Sequence, residues 1–297
     1  MPDSPAAVAL LAANLIFLAV GAWFAATEAA RLFRARALPA GMLAPWRATG
    51  AELVFFFVAF VIAFVALPQL GFVAACAVFP DVDLAANPVY AVGFYQPLVA
   101  AFVWGTFSGR KVPFGDAFLE KIRAKLADGW NAAGAPPALS RLAWRSRENA
   151  WAFFGLALLV VFVASALSQC VPAVFPELKD AWARDQILVE NLRALEHPWA
   201  LALFVPALVA FTPFVEEVFF RAGLYRFLKA KTGGVPAALL TGLCFALAHD
   251  SWAGVLPLAA LSCVLCLAYE RTGRLAVPVL VHGLFNLNSL LQILADK

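Results

Sequence analysis

Charge is scarce in this chain. Asp, Glu, Lys and Arg make up 14% of its 297 residues, where an ordinary soluble domain carries about 25%. The deficit excludes a disordered chain, a nucleic-acid binder and an ordinary cytosolic enzyme. The charges present are clustered, so the stretches 4–27, 53–80, 88–109 and 149–176 contain none. A helix needs about 20 apolar residues to cross the hydrocarbon core, and each stretch is long enough. The chain reads as an all-α, polytopic membrane helix bundle. Its formal net charge of +3 says little about partners, because in a membrane protein the placement of Lys and Arg matters more than their sum.

No basic residue precedes the first apolar run. Asp3 lies ahead of it, and Arg31, Arg34 and Arg36 follow. A cleaved signal peptide has the reverse arrangement and a shorter core, so residues 5–27 are expected to be a retained span with the N-terminus outside. Further spans are expected near 53–78, 88–108, 149–172, 199–228, 234–250, 252–269 and 275–295. Eight spans put both termini on one side. The segments this places inside hold 18 of the 22 Lys and Arg, leaving Lys179, Arg184, Arg193 and Lys297 outside. That partition follows the positive-inside rule.

Two connecting segments carry helical spacing. Phe114, Phe118, Ile122 and Leu126 recur every four residues among charges, as in a helix lying on the membrane surface or a solvated linker. Leu178, Trp182, Leu188, Leu192 and Leu195 suggest a cover over the outer face. No internal repeat is visible. The five cysteines are an odd number. Cys263 and Cys266 form a C-x-x-C inside an apolar span and read as packing; Cys76 and Cys170 fall near outer ends, where a disulfide is conceivable.

Ionisable residues are nearly absent from the first four spans and concentrated in the last four. The fifth reads Phe214-Val215-Glu216-Glu217-Val218-Phe219-Phe220-Arg221, the sixth ends Phe245-Ala246-Leu247-Ala248-His249-Asp250, and the eighth holds His282-Gly283-Leu284-Phe285-Asn286. Of three histidines, only His197 lies in a polar loop. An ionisable group inside a span is a functional hypothesis by default. Glu217 and Arg221 share a helix face in the favourable order, whereas Glu216 points about 100° away. His282 and Asn286 are also one turn apart. At about 1.5 Å per residue, Glu217 lies roughly 18 Å, His249 about 22 Å and His282 to Asn286 roughly 12–18 Å from the inner ends. One mid-membrane layer therefore holds them all. The bland reading is a neutralised ion pair with interhelical hydrogen bonds.

A carboxylate and an imidazole beside one water can deprotonate it for attack on a carbonyl, while a second His and an Asn stabilise the oxyanion. The same donors allow a zinc site on Glu216, His249 and His282. H-E-x-x-H, G-x-S-x-G, a P-loop, a cofactor fingerprint and paired span Asp residues are all missing.

E-E-x-x-x-R, F-x-x-x-H and H-x-x-x-N, in that order on C-terminal spans, resemble the CPBP family. That family comprises type II CAAX prenyl endopeptidases and bacteriocin-processing or self-immunity (Abi) proteins. The resemblance covers about residues 148–297, leaving 1–147 as an N-terminal transmembrane region with a basic loop. It implies a glutamate-dependent intramembrane endopeptidase acting on a membrane-associated peptide or protein, with no nucleic-acid partner. Glu216 then resembles the general base working with His249; His282 and Asn286 resemble the oxyanion pair; Glu217 and Arg221 support them. It favours a metal-free mechanism, with zinc as the second reading. The Ala-rich composition points to a bacterial inner membrane, where a leader peptide or sorting signal is a more natural substrate than a prenyl protein. Two alternatives belong to other classes: a non-catalytic scaffold or immunity protein with this fold, and a transporter, whose usual inverted repeat is not seen.

A topology reporter fused after Lys125 is expected to read cytoplasmic, and one within 180–195 exported. Swapped signals at both positions would sink the eight-span topology.

Overall fold

The computed structural model describes residues 5–35, 43, 45–84, 88–108, 137–182, 187–193 and 198–295. Every regular element among them is helical. The principal helices are α1 (Pro5–Ala35), α2 (Gly50–Val78), α3 (Val89–Ser108), α4 (Pro137–Gln169), α5 (Trp199–Thr232), α6 (Gly234–Leu247), α7 (Val255–Thr272) and α8 (Ala276–Ala295). The protein is a multi-pass membrane helix bundle.

Six helical segments are long and apolar enough to cross a membrane: α1, α2, Ala150–Val174 at the end of α4, α5, α7 and α8. The other two expected spans are helical but are not among the six. Tyr90, Tyr95, Gln96 and Thr106 dilute the hydropathy of α3. At 14 residues, α6 is about 21 Å long, short of the ~30 Å hydrocarbon core. The expected surface helix over 114–126 lies outside the described residues, as does His197.

Packing places α5 at the centre, against α3, α6, α7 and α8. α4 packs on α1, α7 and α8, and α2 packs on α3. A core of Trp46, Ala63, Val99 and Phe107 with Val215 and Phe219 joins the first part of the chain to α5. Segment 43–49 is tied beneath α5: Lys229 Nζ donates to the Leu43 carbonyl at 2.9 Å, and Trp46 N–H donates to the Arg226 carbonyl at 2.9 Å. It ends in a capping box. Thr49 Oγ1 accepts from the Glu52 N–H at 3.3 Å, and Glu52 Oε2 accepts from the Thr49 N–H at 2.7 Å, which satisfies two N–H groups at the start of α2.

Three π-helical stretches interrupt these helices: Ile62–Ala66 in α2, and Ala207–Phe211 and Val218–Tyr225 in α5. In two of them proline shares the cause. Leu67 N–H bonds the Ile62 carbonyl and is followed by Pro68; Thr212 N–H bonds the Ala207 carbonyl and is followed by Pro213. Proline has no N–H, so the next carbonyls in register, Ala63 and Leu208, lose their helical donor. Gly273, at φ 64°, ends α7 in the left-handed conformation that glycine adopts without strain.

Leu192 of the short helix Ile187–Arg193 is buried with Val89, Phe204 and Leu290. Trp182 Nε1 donates to Ser168 Oγ at 3.1 Å, so Trp182 and Leu192 are held against the bundle, while Leu178 is exposed and the side chains of Leu188 and Leu195 lie outside the described residues. All five cysteines are free thiols, including Cys76 and Cys170. Leu15, Ile16 and Trp23 of α1 and Phe57, Leu70 and Val73 of α2 are exposed, the apolar surface that a lipid environment covers.

α1 is held chiefly through α4, where Gly21 meets Gly155 so closely that a Cβ on either would strike backbone of the other helix. Small residues permit such approach in membranes, and Phe17–Phe154 and Phe24–Phe153 edge-to-face contacts at 4.9 and 5.1 Å flank it. Gly155→Leu is expected to detach α1, read as loss of most cross-linking between cysteines placed at Phe17 and Phe154. Undiminished cross-linking would show that this contact does not hold the helix.

Candidate active site

The stretch 214–221 of α5 carries Glu216, Glu217 and Arg221, and helix geometry sends Glu216 away from the other two. Glu217 and Arg221, both wholly buried, form the expected pair one turn apart, with Arg221 Nη1 3.0 Å from Glu217 Oε1. Arg221 Nη2 also donates to Ser262 Oγ of α7 at 2.8 Å. Its guanidinium lies 4.6 Å from the Phe245 ring centroid of α6, a cation–π contact that suits an otherwise underbonded cation. Glu217 Oε1 accepts a further hydrogen bond from His282 Nδ1 of α8 at 2.9 Å. Paired with Arg221, Glu217 is an acceptor, so Nδ1 carries the proton of that bond and Nε2 is the ring nitrogen left for a second partner.

That free nitrogen faces Glu216. His282 Nε2 and Glu216 Oε2 are 3.7 Å apart, and Glu216 Oε2 is buried without a hydrogen-bond partner. Glu216 also lines a cavity of about 170 Å³ between α2, α3 and α5, whose walls include Ala63, Phe64, Gln96, Val99 and Thr212. One carboxylate is thus consumed in holding helices together, and its neighbour is left uncommitted.

His249 is placed differently from the expectation of a mid-span residue working with Glu216. α6 ends at Leu247, and His249 sits on the turn beyond it, half-buried. Its Nδ1 donates to the Phe245 carbonyl at 2.7 Å, satisfying one of the open carbonyls at a helix end. The Phe245 ring, 4.5 Å from the His249 ring and 5.7 Å from that of His282, stands beside both. No hydrogen bond or ion pair joins His249 to Glu216 among the described residues.

Asn286 is also partly committed. Its Nδ2 donates at 3.0 Å to the Leu208 carbonyl, the group that Pro213 leaves without a donor. One amide hydrogen remains. Helix α8 reaches this carbonyl because Gly283 lies against Val209, where a Cβ would strike the carbonyl oxygen.

Residues 198–288, a little under a third of the chain, match the family model described as Type II CAAX prenyl endopeptidase Rce1-like. The match is consistent with the CPBP family. It contains Glu216, Glu217, Arg221, His249, His282 and Asn286, and excludes every cavity residue from α2 and α3. No curated protein and no solved structure matches the chain.

The zinc set of Glu216, His249 and His282 does not converge. Among the described residues, no three His, Cys, Asp or Glu side chains are grouped as metal ligands would be.

Sequence reasoning missed Ser262, Phe245 as a cation–π platform and the Leu208 carbonyl. It also passed over Gln96, the one amide in the uncharged stretch 88–109, whose isolation was a usable signal.

Arg221→Met removes one partner of a wholly buried ion pair, which typically costs about 3–5 kcal/mol. It is expected to lower the melting temperature in detergent and the membrane abundance together. Ser262→Ala, which leaves one N–H unanswered, is expected to lose roughly 1–3 kcal/mol. Normal abundance of Arg221→Met would contradict a pair that holds α5 to its neighbours.

Proposed function

We propose that this chain is an intramembrane endopeptidase that hydrolyses a peptide bond of a membrane-associated peptide or protein. The observation that carries this reading is the 3.7 Å separation of Glu216 Oε2 and His282 Nε2. It is too long for a direct hydrogen bond and suits one water donating to both acceptors. Glu216 takes a proton as the water oxygen attacks the carbonyl carbon, and His282, oriented by Glu217, holds the other hydrogen. The C–N bond then breaks, and the proton on Glu216 passes to the leaving amine. Asn286, with its remaining amide hydrogen, serves the carbonyl side, and His249 joins it only when Nε2 is also protonated, because Nδ1–H is already used on the Phe245 carbonyl. The similarity of residues 198–288 to type II CAAX prenyl endopeptidases supports the same reaction class.

Residues 148–297 form the catalytic core in this reading and 1–147 an N-terminal transmembrane region. Both termini lie outside a bacterial inner membrane. The substrate is a leader peptide or terminal sorting signal drawn from the bilayer.

Membrane proteomics of wild type against Glu216→Gln tests it. The variant keeps shape and should accumulate normally, while a substrate terminus changes and cleavage falls by at least roughly 10²–10⁴-fold. Adding His282→Ala should cost little more, because groups acting on one water are non-additive; His249→Ala should combine with Glu216→Gln more nearly additively. An abundant, fully active Glu216→Gln protein would remove Glu216 from the mechanism. Activity should survive chelation and dialysis. Loss on chelation with recovery on zinc would move Glu216, His249 and His282 into ligand roles.

A further inference from the structure

We infer that the cavity beside Glu216 is the subsite for a single apolar side chain of the substrate, walled by α2 and α3 and flanked by Gln96 as an acceptor for the peptide backbone. The inference rests on the peptidase reading and assigns to the first part of the chain the selection of what is cut. Volume comes first. About 170 Å³ is well below the ~300–1,000 Å³ that encloses a whole small ligand, and is suited to one side chain. The walls then set its character. Ala63 and Phe64 of α2, Val99 of α3 and Val215 of α5 supply the apolar part of the lining, so an acidic side chain entering it would be desolvated beside the Glu216 carboxylate, and a basic one would take up the carboxylate that the attacking water needs.

The polar groups of the cavity indicate what accompanies that side chain. Gln96 Oε1 and Glu216 Oε2 are both buried acceptors with no hydrogen-bond partner, and both residues line the cavity. Buried acceptors are normally satisfied, and an extended peptide offers N–H groups along its backbone. Glu216 stands at the same cavity, so a side chain seated there belongs to a residue beside the scissile bond.

The test presents a proteome-derived peptide library in detergent micelles to the full-length protein, with cut sites read by mass spectrometry. Ala63→Leu fills the cavity and Val99→Ala enlarges it. At one position next to the cut, the first should shift preference toward Gly and Ala and the second toward larger apolar residues. Each shift should be roughly tenfold or more, the usual weight of a methylene in a fitted pocket. Opposite shifts are a result that general destabilisation does not produce, and Val99→Ala suffices should Ala63→Leu fail to fold. Gln96→Leu should slow cleavage of all peptides roughly 3–10-fold without moving the preference. Cleavage that depends on Glu216 but keeps one preference in the size variants that fold overturns the subsite alone. Absence of any Glu216-dependent cleavage overturns the subsite together with the peptidase reading.

Discussion

The arrangement depends on a buried ion pair, Glu217 with Arg221. Taking two charges out of water is costly, and their attraction compensates only when geometry is good and the remaining polar atoms find partners. Here some of those partners come from other helices, Ser262 from α7, His282 from α8 and the Phe245 ring from α6, while Glu217 Oε2 and Arg221 Nε stay without a hydrogen-bond partner. Each contact that makes the pair tolerable also fixes a helix against α5. Glu217 therefore sets the orientation of His282, and through His282 the geometry at Glu216. A neutral pair of the same volume would pack, but it would not dictate which ring nitrogen faces Glu216.

Helix irregularity does the complementary work. An uninterrupted 34-residue helix of the length of α5 would present one register to its neighbours throughout. The two π stretches on either side of Thr212–Glu217 shift that register, as π turns commonly do at functional sites. Pro213 opens a carbonyl that Asn286 closes, so the defect in α5 becomes a docking point for α8. Asn286 thus serves the assembly of the site as well as any step in it.

These causes explain what was legible beforehand. The helical bundle, six of the eight expected spans and the Glu217–Arg221 pair follow from charge scarcity and the 3.6-residue period, both written in the sequence. Helix ends are not written so clearly. His249 follows an apolar run without a break, yet α6 stops at Leu247 and Asp250 takes φ 47°, a conformation Asp tolerates. The same continuity hid that α6 is too short to cross. Ser262 was unreadable for another reason: a small hydroxyl in an apolar helix acquires meaning only from the helix facing it, whereas the isolation of the Gln96 amide was a signal the sequence did offer. α3 fell just outside the apolar class because of the residues, Tyr95 and Gln96, that line the cavity.

Those residues bear on how chemistry and selectivity are divided along the chain. The groups proposed to act on water lie between residues 198 and 288, where the chain matches a family model. The groups proposed to receive the substrate side chain lie mostly outside it, on α2 and α3. The two sets meet at α5, which contributes Glu216 to one wall of the cavity and Glu217 to the opposite network. Because α2 and α3 pack on α5 through apolar contacts such as Phe60–Phe219 and Phe107–Phe219, substitutions on them alter the cavity without touching the Glu217–Arg221–His282 network. Such a layout lets the choice of peptide change while the geometry that activates water is kept.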